Sequence, residues 1–183
     1  MTGRVIILNG VSSAGKTTLA RQIQKSAEET WLHIAMDAFI ATLPEGREFE
    51  RDWFPIVELV RGAKRLPCIT TERSGAALLE EMRHLVARLA KRGFNVVVDE
   101  VADRETIEDY RSKLRSVPSL VVKVDAPLDI LNRRERDRGD RIIGLAQEQQ
   151  ARLHKDIDYN LEIETHEQAP EALASKVLSR MGN

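Results

Sequence analysis

The stretch Arg4-Val5-Ile6-Ile7-Leu8-Asn9-Gly10-Val11-Ser12-Ser13-Ala14-Gly15-Lys16-Thr17-Thr18 decides the fold. Arg4 to Asn9 is a short, largely apolar run of the kind that forms a strand buried on both faces. Residues 10–17 satisfy G-x-x-x-x-G-K-[ST] at every fixed position. Beyond them Leu19, Ala20 and Ile23 recur at helical spacing, with polar Arg21, Gln22 and Gln24 between. Strand, glycine loop and helix, in that order, open a parallel α/β unit. The spacing serves a chemical end. A loop that wraps a phosphate must point several backbone N–H groups at its oxygens, and glycines permit the close approach. Gly10, Val11, Ser12, Ser13, Ala14, Gly15, Lys16, Thr17 and Thr18 are therefore the candidate nucleotide-binding residues. Lys16 would place its charge on the β and γ phosphates, and the Thr17 hydroxyl would ligate Mg²⁺.

The alternation continues outward. Trp31–Met36, Asn95–Asp99, Leu120–Val124 and Leu161–Glu164 read as four more strands. Helical patterns lie between and after them: Leu78 to Leu89 with Gly93 as its stop, Arg104 to Arg115, a segment opened by Pro127, and one opened by Pro170 with Gly182 past its end. The expected fold is α/β, a P-loop NTPase with a five-stranded, mostly parallel sheet flanked by helices. Residues 1–183 read as one domain, with an acceptor-site insertion over roughly 44–92 and a lid over roughly 133–144. Pro44 to Gly75 holds several prolines and mixed charge, and reads as helical pieces and loops.

Composition narrows the function. The chain has 28 Lys+Arg against 29 Asp+Glu, and a net charge of -1 offers no global field for a polyanion. With Cys68 as its one cysteine it has no internal disulfide, and a cysteine zinc site is not expected. No apolar stretch reaches the length of a membrane span, and Met1-Thr2-Gly3-Arg4 opens no secretory leader. A cytoplasmic protein without nucleic-acid or membrane partners is expected.

Three further features carry chemistry. Val96-Val97-Val98-Asp99-Glu100 is an apolar strand ending in carboxylates, and Asp99 is the expected second Mg²⁺ ligand, with Glu100 a candidate helper. Asp37 follows the second strand, at the sheet edge where ligands bind in open α/β folds. It could accept an alcohol's proton during phosphoryl transfer, or cap a helix over Ala38–Leu43. Arg133-Arg134-Glu135-Arg136-Asp137-Arg138-Gly139-Asp140-Arg141 begins on a helix and breaks at a glycine. Guanidinium groups suit the charge on transferring phosphoryl oxygens, although charge runs also form solvated helix faces. His33, His84, His154 and His166 show no ligand spacing, and Trp53 and Phe54 could line an aromatic acceptor pocket but read first as packing.

With these motifs in place the chain resembles the chloramphenicol phosphotransferase-like family of P-loop kinases. Ile6 to Gly10 followed by Ser12-Ser13-Ala14-Gly15-Lys16 is similar to that family's opening signature. Trp31-Leu32, Asp37, Ile40 and Pro44 resemble the segment carrying its catalytic aspartate. Val98-Asp99 and Val101 resemble its second acidic strand. Arg134-Glu135, Arg138 to Arg141, Gly144 and Ala146 resemble its lid, and His154, Tyr159 and Glu162 to Thr165 its closing segment. The resemblance implies an ATP- and Mg²⁺-dependent kinase that phosphorylates a hydroxyl of chloramphenicol or a related small molecule. It implies Asp37 as base, with Lys16, Arg134, Arg138 and Arg141 completing the catalytic set. Glu45 to Arg92 departs from the family pattern, so the resemblance bears on the reaction class more than on the acceptor. A nucleoside or nucleotide kinase, a kinase toxin acting on a nucleotide-sugar, and an NTP-binding regulatory module are the rival readings. The last lacks an N-K-x-D element after the fourth strand.

Overall fold

The computed structural model describes residues 2–62, 64–139 and 141–182. The chain runs β1 (Val5–Asn9), α1 (Lys16–Ser26), β2 (Trp31–Ala35), α2 (Met36–Ile40), a 3-10 turn (Arg47–Phe49), β3 (Ile56–Arg61) and β4 (Lys64–Ile69). It continues with α3 (Arg73–Lys91), β5 (Asn95–Glu100), α4 (Arg104–Lys113), β6 (Ser119–Asp125), α5 (Leu128–Arg138), α6 (Leu145–Gln150), β7 (Leu161–Glu164) and α7 (Pro170–Gly182). The five strands expected from the apolar runs form one sheet in the order β2-β5-β1-β6-β7, and every pairing is parallel.

The most continuously apolar run becomes the central strand. β1 is buried along its whole length, between β5 and β6. The pleat sends Ile6 and Leu8 to one face, where they pack with Leu19 and Ile23 of α1 and Leu173 and Val177 of α7. Val5 and Ile7 point to the other, against Met82 and Val86 of α3 and Ile107 and Tyr110 of α4. Each such aliphatic side chain contributes roughly 1.5–3 kcal/mol by leaving water. The strand register places Leu8 beside Asp99 and Asn9 beside Glu100, so the phosphate loop and the acidic pair leave the same sheet edge.

Local chemistry sets the helix ends. Asp103 caps α4, its carboxylate accepting the Thr106 N–H at 2.9 Å. α5 stops at Gly139, whose φ of 69° lies in the left-handed region. Asp140 of the arginine run lies outside the described residues. Gly182 lies within α7, not past its end.

A second expectation is corrected. The stretch from Pro44 to Gly75 was expected as helical pieces and loops, yet it contains an antiparallel hairpin, β3 paired with β4. Pro67 sits inside β4 opposite Glu58. A proline cannot donate to a ladder, so it argues against a strand from sequence. A two-stranded hairpin tolerates it because each strand keeps an unpaired side. α6 was not anticipated; it packs beside β4, with Gly144 against the Pro67 ring.

Gly10 is held by space. A Cβ there would lie 2.1 Å from the Val124 carbonyl oxygen of β6. Gly10→Ala must push the loop off its neighbouring strand. A loss of roughly 5–10 °C in melting temperature is expected, and an unchanged thermal unfolding curve would contradict this packing.

Candidate active site

The phosphate loop joins β1 to α1. Ser13 (φ 60°) and Gly15 (φ 96°) turn the chain through the left-handed region. Ser12 and Ser13 are buried, and their hydroxyls have no hydrogen-bond partner among the described residues. Buried polar atoms seldom stay unpaired, so these oxygens suit a ligand rich in acceptors such as a phosphate. The Lys16 ammonium donates to the carbonyls of Gly10 (2.8 Å) and Val11 (3.0 Å). Desolvation lowers its pKa, outweighing the carboxylates of Asp99 and Asp37. Thr17 and Thr18 line the hollow above the loop.

The pleat separates the adjacent carboxylates at the end of β5. Asp99 shares the face of Val97 and turns toward the loop, where Thr17 hydrogen-bonds to it. His33 Nε2 meets Asp99 Oδ2 at 2.8 Å. Burial would raise the Asp99 pKa, but the His33 hydrogen bond and the Lys16 charge hold it below the usual carboxylate range. An anionic carboxylate beside a hydroxyl fits Mg²⁺, which takes few protein oxygens and completes its shell with water and phosphate.

Glu100 faces the other side and is almost fully buried. The Tyr110 hydroxyl donates to it at 2.6 Å, and an Arg83 nitrogen lies at 3.4 Å. Burial raises its pKa despite these partners.

Asp37 is the second residue of α2, and Ala35, not Asp37, stands at its N-cap. The Asp37 carboxylate accepts from Arg141 at 3.0 Å. Arg138 and Arg141 line the hollow over the loop, together with Asp37, Lys16, Thr17 and Asp99. Arg134 does not. Its guanidinium passes behind the loop and donates to the carbonyls of Ser13 and Ala14 and to Thr165. That position gives Arg134 a bracing role, in place of the phosphate-facing one expected of the lid.

Several residues that organise the site were not among those assigned a catalytic, nucleotide-binding or metal role. His33 lies two positions before the residue paired with Asp99, on the same face of the neighbouring strand. The Glu135 carboxylate is fully buried and accepts from the N–H groups of Gly144 (2.9 Å) and Ala146 (2.7 Å), which folds the segment after α5 back onto the sheet edge. Gln149 of α6 accepts from the Ser12 N–H at 2.7 Å. Asn9 donates to the Tyr159 hydroxyl, which also meets His154 Nδ1 at 2.7 Å, and burial pushes the Tyr159 pKa up to about 12. Amphipathic spacing shows none of these contacts, and those of His33, Gln149 and Asn9 join residues far apart in the chain.

Two cavities meet here. One, of about 120 Å³, lies over the phosphate loop. The other, of about 950 Å³, is walled by α2, β4, α3 and α6, with Phe54, Ile69 and Leu79 on its apolar side. Asp37, Glu100, Arg141 and Gln149 line both. Phe54, read as packing with an aromatic acceptor pocket as the alternative, is buried and lines this cavity. Cys68 is buried, and desolvation raises its pKa, which suits a packed thiol rather than a nucleophile. No helix among the described residues is long and apolar enough to cross a membrane.

Comparison with known proteins adds the following. A family model described as chloramphenicol phosphotransferase-like protein matches residues 3–182. A Mycobacterium tuberculosis H37Rv protein, named provisionally as an O-phosphotransferase, is 34% identical over 174 residues, covering 89% of this chain and 75% of that protein. The fold matches M. tuberculosis APS kinase CysC in complex with AMPPNP and APS, with a TM-score of 0.67, 16% identity and coverage of 100% and 99% of the two chains. It also matches Sinorhizobium meliloti gluconokinase, with a TM-score of 0.65, 19% identity and coverage of 99% and 93%. The fold is thus that of the P-loop kinases.

The raised Glu100 pKa has a consequence for stability. A carboxyl that binds its proton more tightly when folded destabilises the native state as pH rises through the interval between its unfolded and folded pKa values. Glu100→Gln keeps the shape and removes the titration. Its melting temperature relative to the parent is expected to improve from pH 4 toward neutrality, and a difference independent of pH would contradict the assignment.

Proposed function

The chain belongs to the chloramphenicol phosphotransferase-like family of phosphotransferases, and from that premise we propose that it moves the γ-phosphoryl group of ATP to a hydroxyl of chloramphenicol or a related small molecule. One observation carries the reading: the cavity over the phosphate loop and the larger cavity beside it meet at Asp37 and Arg141. A donor phosphate in the first and an alcohol in the second would be brought together at a carboxylate and a guanidinium.

The chemistry follows from the residues. Backbone N–H groups of residues 10–17 bind the phosphates at the opening of α1. Lys16 leaves the Gly10 and Val11 carbonyls for phosphate oxygens, which are stronger acceptors. Thr17 and Asp99 would hold Mg²⁺, which supplies charge neutralisation across the β and γ phosphates. His33 keeps Asp99 oriented, and Arg134 braces the loop from behind. Asp37 accepts the alcohol's proton as the alcohol oxygen bonds to the γ-phosphorus. The bond from that phosphorus to the β–γ bridging oxygen breaks, and ADP leaves. Arg138 and Arg141 stabilise charge on the transferring oxygens. The expected cytoplasmic setting suits an enzyme that consumes ATP.

The test uses Mg²⁺-ATP and chloramphenicol, followed by other hydroxylated antibiotics and nucleosides, with mass spectrometry of the products. Asp37→Asn should lower kcat by about 10²- to 10⁴-fold while affinity for a non-hydrolysable ATP analogue is retained. Near-normal turnover would remove Asp37 from the base role. Lys16→Ala should weaken nucleotide binding and abolish transfer. Nucleotide binding with no phosphorylated product across the panel would favour a regulatory module instead.

A further inference from the structure

The floor of the larger cavity carries an arginine that the proposed reaction has not used. Arg83 rises from α3 with its side chain 13% exposed. Its Nε donates to Asp109 at 2.8 Å, and one Nη1 contact reaches Glu100 at the long distance of 3.4 Å. Nη2 makes no hydrogen bond to a described residue, yet Arg83 lines the cavity. Guanidinium donors without a protein acceptor are left to a ligand or to water. Asp109 and Glu100 hold the side chain in place. The free edge is thereby preorganised to receive an oxygen.

The surrounding charge says which kind of oxygen. Each guanidinium on this cavity already faces a carboxylate: Arg83 meets Asp109, Arg141 meets Asp37 and Arg152 meets Glu148. Glu45, Glu48, Asp103 and Glu105 also line it, and none forms an ion pair with a described residue. An anionic acceptor would enter a field of uncompensated negative charge. A neutral oxygen would gain the donors without that penalty.

We propose that Arg83 is an acceptor-binding, specificity-determining residue, and that its free edge recognises a neutral carbonyl or similar oxygen on an uncharged alcohol. This rests on the phosphotransferase reading above. Glu100, whose carboxyl accepts from the Tyr110 hydroxyl at 2.6 Å, walls the cavity beside Arg83.

The test offers the wild-type enzyme Mg²⁺-ATP with two sets of alcohols. One set is uncharged and carries an amide carbonyl, with chloramphenicol among its members. The other consists of hydroxy acids, shikimate and gluconate. Products are followed by mass spectrometry, and acceptor KM and kcat are measured for wild type, Arg83→Met and Arg83→Lys. Binding of a non-hydrolysable ATP analogue and thermal melting report folding. The uncharged set should be preferred. Arg83→Met should raise acceptor KM by about tenfold to a hundredfold with kcat little changed and nucleotide affinity intact. Arg83→Lys should show the same rise in smaller measure, and it decides the matter if Arg83→Met does not fold. Preference for the hydroxy acids, or an unchanged acceptor KM in a folded variant, would overturn the proposal while leaving the phosphotransferase reading standing. Absence of product from both sets, with nucleotide still bound, would overturn that reading and the Arg83 assignment with it.

Discussion

The close approach of Gly10 to the Val124 carbonyl is the contact on which the site depends. With no Cβ at that position the loop can leave β1 while pressed against β6. The loop then turns over the sheet edge, and α1 begins with its N–H groups toward the hollow. Everything that faces the phosphate position follows from this exit. Lys16 and Thr17 take their places as the first residues of α1, and Asp99 reaches them because β5 lies beside β1 in register. Arg134 and Thr165 then brace the loop's own carbonyls from the far side, with the Thr165 hydroxyl donating to Ala14 at 2.7 Å. A loop so tied presents its N–H groups without a further ordering cost on binding.

Strand alternation divides the chemistry that the loop makes possible. Asp99 and Glu100 are neighbours in the chain and opposites in environment. One is driven to remain an anion by His33 and Lys16, and the other is driven to keep its proton by burial under α4. The first suits a cation, and the second, hydrogen-bonded to Tyr110, walls the larger hollow. The same division separates a small hollow built for phosphate from a larger one with an apolar side. Asp37 and Arg141 stand where the two hollows join, and their contact ties α2 to the segment after α5.

Much of this was legible in the chain, for identifiable reasons. Strands buried on both faces announce themselves as apolar runs, as β1 and β5 did, while β7 (LEIE) was read from a shorter, alternating pattern. The phosphate loop is a local motif with a fixed spacing, and Asp37 and Asp99 stand at strand ends. The hairpin was hidden because β3 exposes Ile56, Val57 and Val60, and β4 contains Pro67. The β-branched residues of β3 were a local strand signal, and the proline in its partner masked the pairing. His33 looked scattered because its partner is 66 residues away and is set by strand register. Arg134 and Arg138 look alike in a charge run, yet α5 sends one behind the loop and the other over it. Arg83 and Gln149 sit on ordinary amphipathic helices, and only the packing of those helices turns them toward the cavities.

The central claim is that a phosphoryl group passes from nucleotide to an alcohol where the two hollows meet. The most direct measurement uses ATP whose γ-phosphoryl oxygens carry ¹⁸O, with Mg²⁺, the purified protein and a set of small alcohols. A phosphorylated alcohol that retains the three heavy non-bridging oxygens, with its own oxygen as the ester bridge, is the predicted result. Heavy label appearing only in inorganic phosphate, with every alcohol recovered unchanged, would contradict the account.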